Sequence, residues 1–209
     1  MRLLLIGATG LVGRHVLTQV LDDARIETVL APSRRALAAH AKLIAPVVNF
    51  DRLPVDVDWW NADAVICTLG TTIHVAGSQE AFRKVDHDYP LAVARLAKAH
   101  GATTFVLTSA MSADPASRFF YSRVKGETER ALGELGYRSL TFVRPGLIGG
   151  QRSEPRTAER IGSAILRLFG PVLPKSMRIN PSQRIAEVLL NAAVTGLPGT
   201  HIIRSADLN

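Results

Sequence analysis

The sequence predicts a doubly wound α/β fold in a single domain, with a mostly parallel sheet and helices on both faces. Three observations predict it: short apolar runs of strand length recur along the chain, amphipathic helical patterns lie between most of them, and the first run meets the first helix across closely spaced glycines. At 209 residues and 47% hydrophobic content, the chain can bury one core but is too short for two full-sized domains.

Leu3 to Ile6 is an unbroken apolar run, as a parallel strand buried on both faces requires. Leu11, Val12, Val16, Val20 and Leu21 then recur at helical spacing, and Thr28 to Ala31 reads as a second strand, so residues 2–31 form a βαβ unit. Further strands are expected at Val47 to Phe50, Ala64 to Thr68, Thr104 to Thr108, Thr141 to Val143 and Thr200 to Ile203. One helix is expected from about Asp88 to His100, with Pro90 in its first turn and Gly101 as its stop signal. Another runs from about Phe119 to Leu135, and a third begins at Asn180-Pro181 and turns Ile185, Val188, Leu189 and Ala192 inward. Right-handed crossovers make the doubly wound order the simplest arrangement, with ligand at the carboxyl ends of the strands. A small substrate-side region is expected around 147–180. Within it, polar Gln151 to Arg160 reads as a loop or flap, and apolar Ala158 to Phe169 as core packing, a substrate flap or a partner-binding helix.

The apolar run at Met1 to Ile6 stops at Gly7, too soon for a signal h-region or a membrane span. Cys67 has no second cysteine to bridge to, and the six histidines show no paired metal-ligand spacing. These features lead to the expectation of a soluble, cytoplasmic protein with no metal and no membrane partner. The formal charge of +7 is spread singly, mostly on arginines, without a basic block or an interleaved aromatic platform. Nucleic acid is therefore not expected as a partner; a small-molecule substrate is, and a homodimer is compatible with the chain.

Gly7-Ala8-Thr9-Gly10-Leu11-Val12-Gly13 lies between strand and helix, where glycine permits a tight turn, close backbone approach to a pyrophosphate and close helix packing. Gly7, Thr9, Gly10, Leu11, Val12 and Gly13 are accordingly the candidate cradle of a Rossmann-type dinucleotide site. Such folds usually end the second strand in an acid that bonds the adenosine ribose; here the chain runs Pro32-Ser33-Arg34-Arg35. Guanidinium groups suit a 2′-phosphate and Ser33 can add a bond, so NADPH/NADP is the expected cofactor. Arg14 is a weaker candidate for the same role. Asp51, beyond the third strand, is placed to accept a hydrogen bond from the adenine amino group.

Tyr121 and Lys125 stand at i and i+4, on one face of the expected helix, where an ammonium favours the phenolate and brings the phenol toward working pH. Thr108-Ser109 closes the strand at 104–108 and brings a hydroxyl able to polarise a carbonyl. Cys67 reads as a small buried hydrophobe and Trp59-Trp60 as packing at a loop or helix edge.

Together these residues resemble the short-chain dehydrogenase/reductase superfamily, in its atypical branch, over nearly the whole chain. The resemblance extends to Leu69-Gly70-Thr71-Thr72 after the fourth strand, Val85-Asp86-His87-Asp88-Tyr89 opening the next helix, and Arg144-Pro145-Gly146 after the sixth strand. It is greatest to the bacterial relatives of the Tat-interacting-protein oxidoreductases. It implies that Tyr121 is the general acid/base, that Lys125 tunes it and holds the nicotinamide ribose, and that Ser109 orients the substrate carbonyl, with Ser112 as an alternate. It also places Leu69, Gly70, Thr71 and Pro145 against the cofactor, with Leu147 and Ile148 near the nicotinamide carboxamide. Two features depart from the superfamily: Asp86 stands near the place of a relay asparagine, and only about sixty residues follow Gly146, little for an epimerase's substrate domain. Two functions fit: an NADPH-dependent carbonyl reductase, or a non-catalytic NADPH-binding regulator or interaction protein.

Overall fold

The structure is a computed structural model that describes residues 1–149 and 178–209. In chain order its main elements are β1 (Arg2–Ile6), α1 (Leu11–Asp22), β2 (Thr28–Leu30), β3 (Leu43–Ile44), β4 (Ala64–Cys67), α2 (Ile73–Ala76), α3 (Gln79–Arg83), α4 (Tyr89–Ala99), β5 (Thr104–Thr108), α5 (Phe120–Gly133), β6 (Ser139–Arg144), β7 (Ile148–Gly149), β8 (Asn180–Pro181), α6 (Ser182–Thr195) and β9 (Gly199–Arg204). Seven strands form one sheet in the order β3-β2-β1-β4-β5-β6-β9, and every pairing in it is parallel. The order reverses beside β1, which is the crevice where a doubly wound sheet binds its ligand.

Strand alternation divides the core between the two faces of the sheet. Leu3 and Leu5 of β1 pack with Val12, Val16 and Val20 of α1 and Ile185, Ala186 and Leu189 of α6. Leu4 and Ile6 face the other way, into a cluster with Leu91, Val93 and Ala94 of α4 and Leu132 of α5. The central strands are buried along their whole length, which is why they read as continuous apolar runs rather than as alternating ones.

Two elements differ from the sequence expectation. Val47 to Phe50 does not form the third strand: that strand is Leu43–Ile44, and Val47 makes only an isolated bridge to Ser33. Pro46 has no N–H to continue a ladder, and Val47 is 63% exposed at the sheet edge, so an apolar run here did not mean a buried strand. The helix expected from about Asp88 to His100 is α4, but a helical run leads into it from Gln79, where the Ser78 hydroxyl accepts the Ala81 N–H. Residues Lys84–Asp88 form a π turn between α3 and α4. Val85 to Tyr89 thus lies inside a helical run rather than at its start.

Residues 150–177, including the stretches at 151–160 and 158–169 and most of the substrate-side region, lie outside the described residues. Among the described residues, no helix is long and apolar enough to cross a membrane. Trp59 and Trp60 pack on one another in a short 3₁₀ turn, with Trp60 buried and its indole N–H donating to the Pro54 carbonyl at 2.7 Å.

Candidate active site

The β1–α1 turn is built by close backbone contacts. Gly7 has φ +89°, Gly10 N–H donates to the Gly7 carbonyl at 2.9 Å, and Thr68 Oγ1 at the end of β4 lies 3.0 Å from the Ile6 carbonyl oxygen and 3.2 Å from that of Gly7. Gly13 lies so near that a Cβ there would be 2.0 Å from the Gly7 carbonyl oxygen. Helix α1 therefore starts hard against the sheet. Its N-cap, Gly10, offers no side-chain cap, and its first turn holds no acid. The free amide N–H groups and the positive end of the helix dipole suit an anion at this point.

A cleft of about 710 Å³ opens there, within the range of small-molecule sites. It runs from Thr9, Gly10, Leu11 and Val12 past Leu69, Gly70 and Thr71 to Ser109, Tyr121, Lys125 and Ile148. The phosphate cradle and the proposed chemistry thus share one cavity, and a helix N-terminus without a side-chain cap, at the end of a glycine-bounded turn, fits a dinucleotide pyrophosphate. Gly7 and Gly13 stand behind this turn and set its shape. Pro145 is buried and Leu147 is 56% exposed; among the described residues just after β6, Ile148 is the one that lines the cleft.

The adenosine end is only partly as expected. Arg34 and Arg35 are exposed in the loop after β2, available to a phosphate. Ser33 is not: it is buried and its hydroxyl donates to the Arg35 carbonyl, which commits its proton within the loop. The Asp51 carboxylate is likewise engaged, by Lys84 Nζ at 2.6 Å and by the Tyr89 hydroxyl at 2.6 Å. The hydrogen bond from Lys84, followed by that from Tyr89, holds its carboxyl below the usual carboxylate range. None of Ser33, Arg34, Arg35 and Asp51 lines the main cleft, whereas Arg14 does.

Helix α5 brings Tyr121 and Lys125 to the cleft on one face, as their spacing requires. Two contacts fix the helix. The Tyr121 ring packs 5.5 Å from that of Phe82, and Gly126 lies so close to the preceding loop that a Cβ there would be 2.1 Å from the Pro115 nitrogen. Lys125 is buried, and its Nζ lies 2.7 Å from Asp86 Oδ1, with the two side chains 5% and 0% exposed. Asp86 Oδ2 accepts the Thr71 N–H at 2.8 Å. Burial opposes the lysine charge, but the Asp86 carboxylate and the Tyr121 phenol outweigh it and hold the ammonium above its ordinary range. Cys67 lies buried nearby, and its burial pushes the thiol up to about 12, an inert group.

Ser109 departs from the role expected of it. It lines the cleft, yet its hydroxyl donates to Glu129 Oε1 at 2.5 Å, and Glu129 is held in turn by Arg144 through Nε at 2.9 Å and a terminal guanidinium nitrogen at 2.5 Å. The serine proton is directed into this buried tie between β5, α5 and β6 rather than toward a substrate carbonyl. Ser112 does not replace it: it accepts the Ser122 hydroxyl at 2.9 Å and does not line the cleft.

Several contributors escaped the sequence reading: Thr68, Glu129, Gly126, Lys84 and Asn180. Asn180 Oδ1 accepts the Gly146 N–H and the Ser205 hydroxyl, both at 2.8 Å, and so fixes the segment after β6. Gly126 carried a usable signal, since a glycine inside a helical pattern costs stability unless close packing demands it. Glu129 and Lys84 carried none, because surface helices abound in such residues.

Comparison with known proteins gives a consistent picture. A family described as NAD(P)H-binding matches residues 7–192. The fungal protein named "Protein fmp52, mitochondrial" from Emericella nidulans is 36% identical, covering 93% of this chain and 88% of that protein. "Protein HTATIP2" of Rattus norvegicus is 34% identical, covering 94% and 81% respectively. Among solved structures, MoeE5 in complex with UDP-glucose and NAD superposes with a TM-score of 0.75 at 16% identity, covering 97% of this chain and 75% of that one. A short chain dehydrogenase family protein from Francisella tularensis gives 0.71 at 14% identity, covering 99% and 98%. At such identities the structural likeness shows the fold. The relatives' names correct the cytoplasmic expectation: fungal proteins at 32–36% identity over 93% of the chain are named mitochondrial, which points away from the cytoplasm.

Proposed function

Because this chain belongs to the NAD(P)H-binding family, as an atypical short-chain dehydrogenase/reductase, we propose that it is an NADPH-dependent oxidoreductase that reduces a small-molecule carbonyl with Tyr121 as proton donor. The observation that carries the reading is the shared cavity: Tyr121 and the buried Lys125 line the same cleft as the uncapped N-terminus of α1.

When bound, NADPH supplies the hydride that reduces the carbonyl carbon and is itself oxidised to NADP⁺. The chain's part is to hold and to protonate. The first turn of α1 receives the pyrophosphate, Arg34 and Arg35 hold the 2′-phosphate, and Lys125 directs its remaining N–H groups toward the nicotinamide ribose. Tyr121 gives its phenolic proton to the carbonyl oxygen as the alcohol forms, and its phenolate regains a proton from water. With the Ser109 proton committed to Glu129, that donation falls to Tyr121. The same commitment favours a second reading, a non-catalytic NADPH-binding regulator, which needs no hydroxyl poised for a substrate.

Fluorescence titrations with NADPH and NADH test the cofactor. Wild type is expected to prefer NADPH by tenfold or more, about 1.4 kcal/mol for each factor of ten, and Arg34→Ala/Arg35→Ala to lose that preference. Equal wild-type affinities would remove the phosphate clamp. A screen of aldehydes and ketones, followed by oxidation of NADPH, tests the chemistry: Tyr121→Phe is expected to lower turnover by about a hundredfold. Full turnover in that variant sinks the proton donor; tight NADPH binding with no turnover across the screen selects the regulator.

A further inference from the structure

The helical run from α3 to α4 is irregular at one place, the π turn Lys84–Asp88. Turns of this kind are rare and often re-aim a side chain at a functional site. Here the turn carries Asp86, 1% exposed and directed at Lys125 and the Thr71 N–H. Pro90 has no N–H to offer the Asp86 carbonyl four residues back, and the Thr128 hydroxyl donates to that carbonyl at 3.1 Å. Gly70 lies over the pair: a Cβ there would be 3.5 Å from Asp86 Oδ1 and 3.8 Å from Lys125 Nζ. The floor of the cleft therefore rests on a buried carboxylate and ammonium.

Packing alone does not call for the charge. An amide of the same shape would still accept the Thr71 N–H, and a buried ion pair is weak evidence of stabilisation over a neutral substitute. The charge acts on what Lys125 faces. Around this pair stand Cys67 from β4 and Tyr121 one turn back on α5, while Arg14 and His74 line the same cleft from α1 and α2. Farther along α5, Glu129 is occupied by Arg144 and Ser109.

We propose that Asp86 is a positioning residue for the proton donor: by pairing with the ammonium and balancing its charge, it aims Lys125 and withholds from Tyr121 the net positive charge that would favour phenolate. The phenol then enters the reaction carrying its proton, which sets the site for carbonyl reduction. The inference rests on the reading of Tyr121 as proton donor.

It is tested without cofactor or substrate, by following tyrosinate absorbance as pH is raised. The chain has three tyrosines, and burial first of all holds both Tyr89 and Tyr137 above the ordinary phenol range. The step that disappears in Tyr121→Phe is expected to move down by about one pH unit in Asp86→Asn, and up by a similar amount in Lys125→Gln, where the carboxylate stands alone. Asp86→Glu, which keeps the charge, is expected to stay near wild type. Opposite shifts are something a merely structural role does not produce. Wild-type titration in Asp86→Asn and Lys125→Gln, shifts of the same sign, or a step that survives Tyr121→Phe each overturns the proposal; if Asp86→Asn does not fold, the sign of the Lys125→Gln shift decides. Failure of the NADPH reading shows separately, as absent binding in the fluorescence titrations.

Discussion

Gly13→Ala is expected to cost more than about 4 kcal/mol, a loss of the size that only a named structural conflict produces, and to abolish NAD(P)H binding. The added methyl would lie 2.0 Å from the Gly7 carbonyl oxygen and 2.8 Å from both the Gly7 carbonyl carbon and Thr68 Oγ1. Neither neighbour can give way. Gly7 is held at φ +89° by the turn, and Thr68 is engaged with the Ile6 and Gly7 carbonyls at the end of a strand buried along its whole length. Relief therefore requires α1 to move off the sheet, which opens the contact between Val12, Val16 and Val20 and the strands beneath them. It also carries away the amide N–H groups that face the cleft. For a chain of this size the loss corresponds to a fall in Tm of roughly 8–16 °C. Gly133→Ala is the control: nothing lies within 4 Å of its Cβ position near the end of α5, and it is expected to be neutral or stabilising by up to about 1 kcal/mol. Thermal melts of the two variants check the contrast, and a Gly13→Ala protein that melts with wild type would mean the turn is far softer than its contacts imply.

The same turn shows what a sequence can and cannot disclose. Its glycines were legible because strand, spacing and helix all agree locally, and β5 was read to the residue because its apolar run is buried on both faces. Val47 to Phe50 departs from its expected strand because composition does not distinguish an edge from an interior. The π turn was invisible: hydrophobic periodicity records which side of a helix is buried, not where one extra residue is inserted. At the site, Tyr121 and Lys125 could be paired because a helix brings i and i+4 together. The bonds from Lys125 to Asp86 and from Ser109 to Glu129 join elements distant in sequence, and only the docking of α5 on the π turn and on β5 decides them. That is why the position of Ser109 at a strand end suggests a role at the carbonyl that its hydrogen bond does not support, and why the sequence shows no partner for Asp86.

Lys125→Met is expected to destabilise the fold by about 3–5 kcal/mol, the usual consequence of breaking a buried ion pair from one side. Methionine fills the space but leaves the Asp86 carboxylate, 0% exposed, with the Thr71 N–H and no countercharge. Adding Asp86→Asn to this variant removes the stranded charge, so the double variant is expected to be more stable than Lys125→Met alone, against the ordinary rule that damage accumulates. The pH dependence has a definite sign. With the folded ammonium held above the ordinary lysine value of 10.5, the wild-type contribution is present in full below that value and is lost as pH rises through the folded one. Urea unfolding of the wild type, the Asp86→Asn and Lys125→Met variants and the double variant, at neutral and strongly alkaline pH, measures both effects. If Lys125→Met unfolds with wild type, the ammonium is not what compensates the buried acid. A large coupling between the two positions would mean instead that any change at Lys125 acts on Tyr121 through Asp86 as well as directly, so the spectroscopic shifts of Tyr121 belong to the pair and not to the lysine alone.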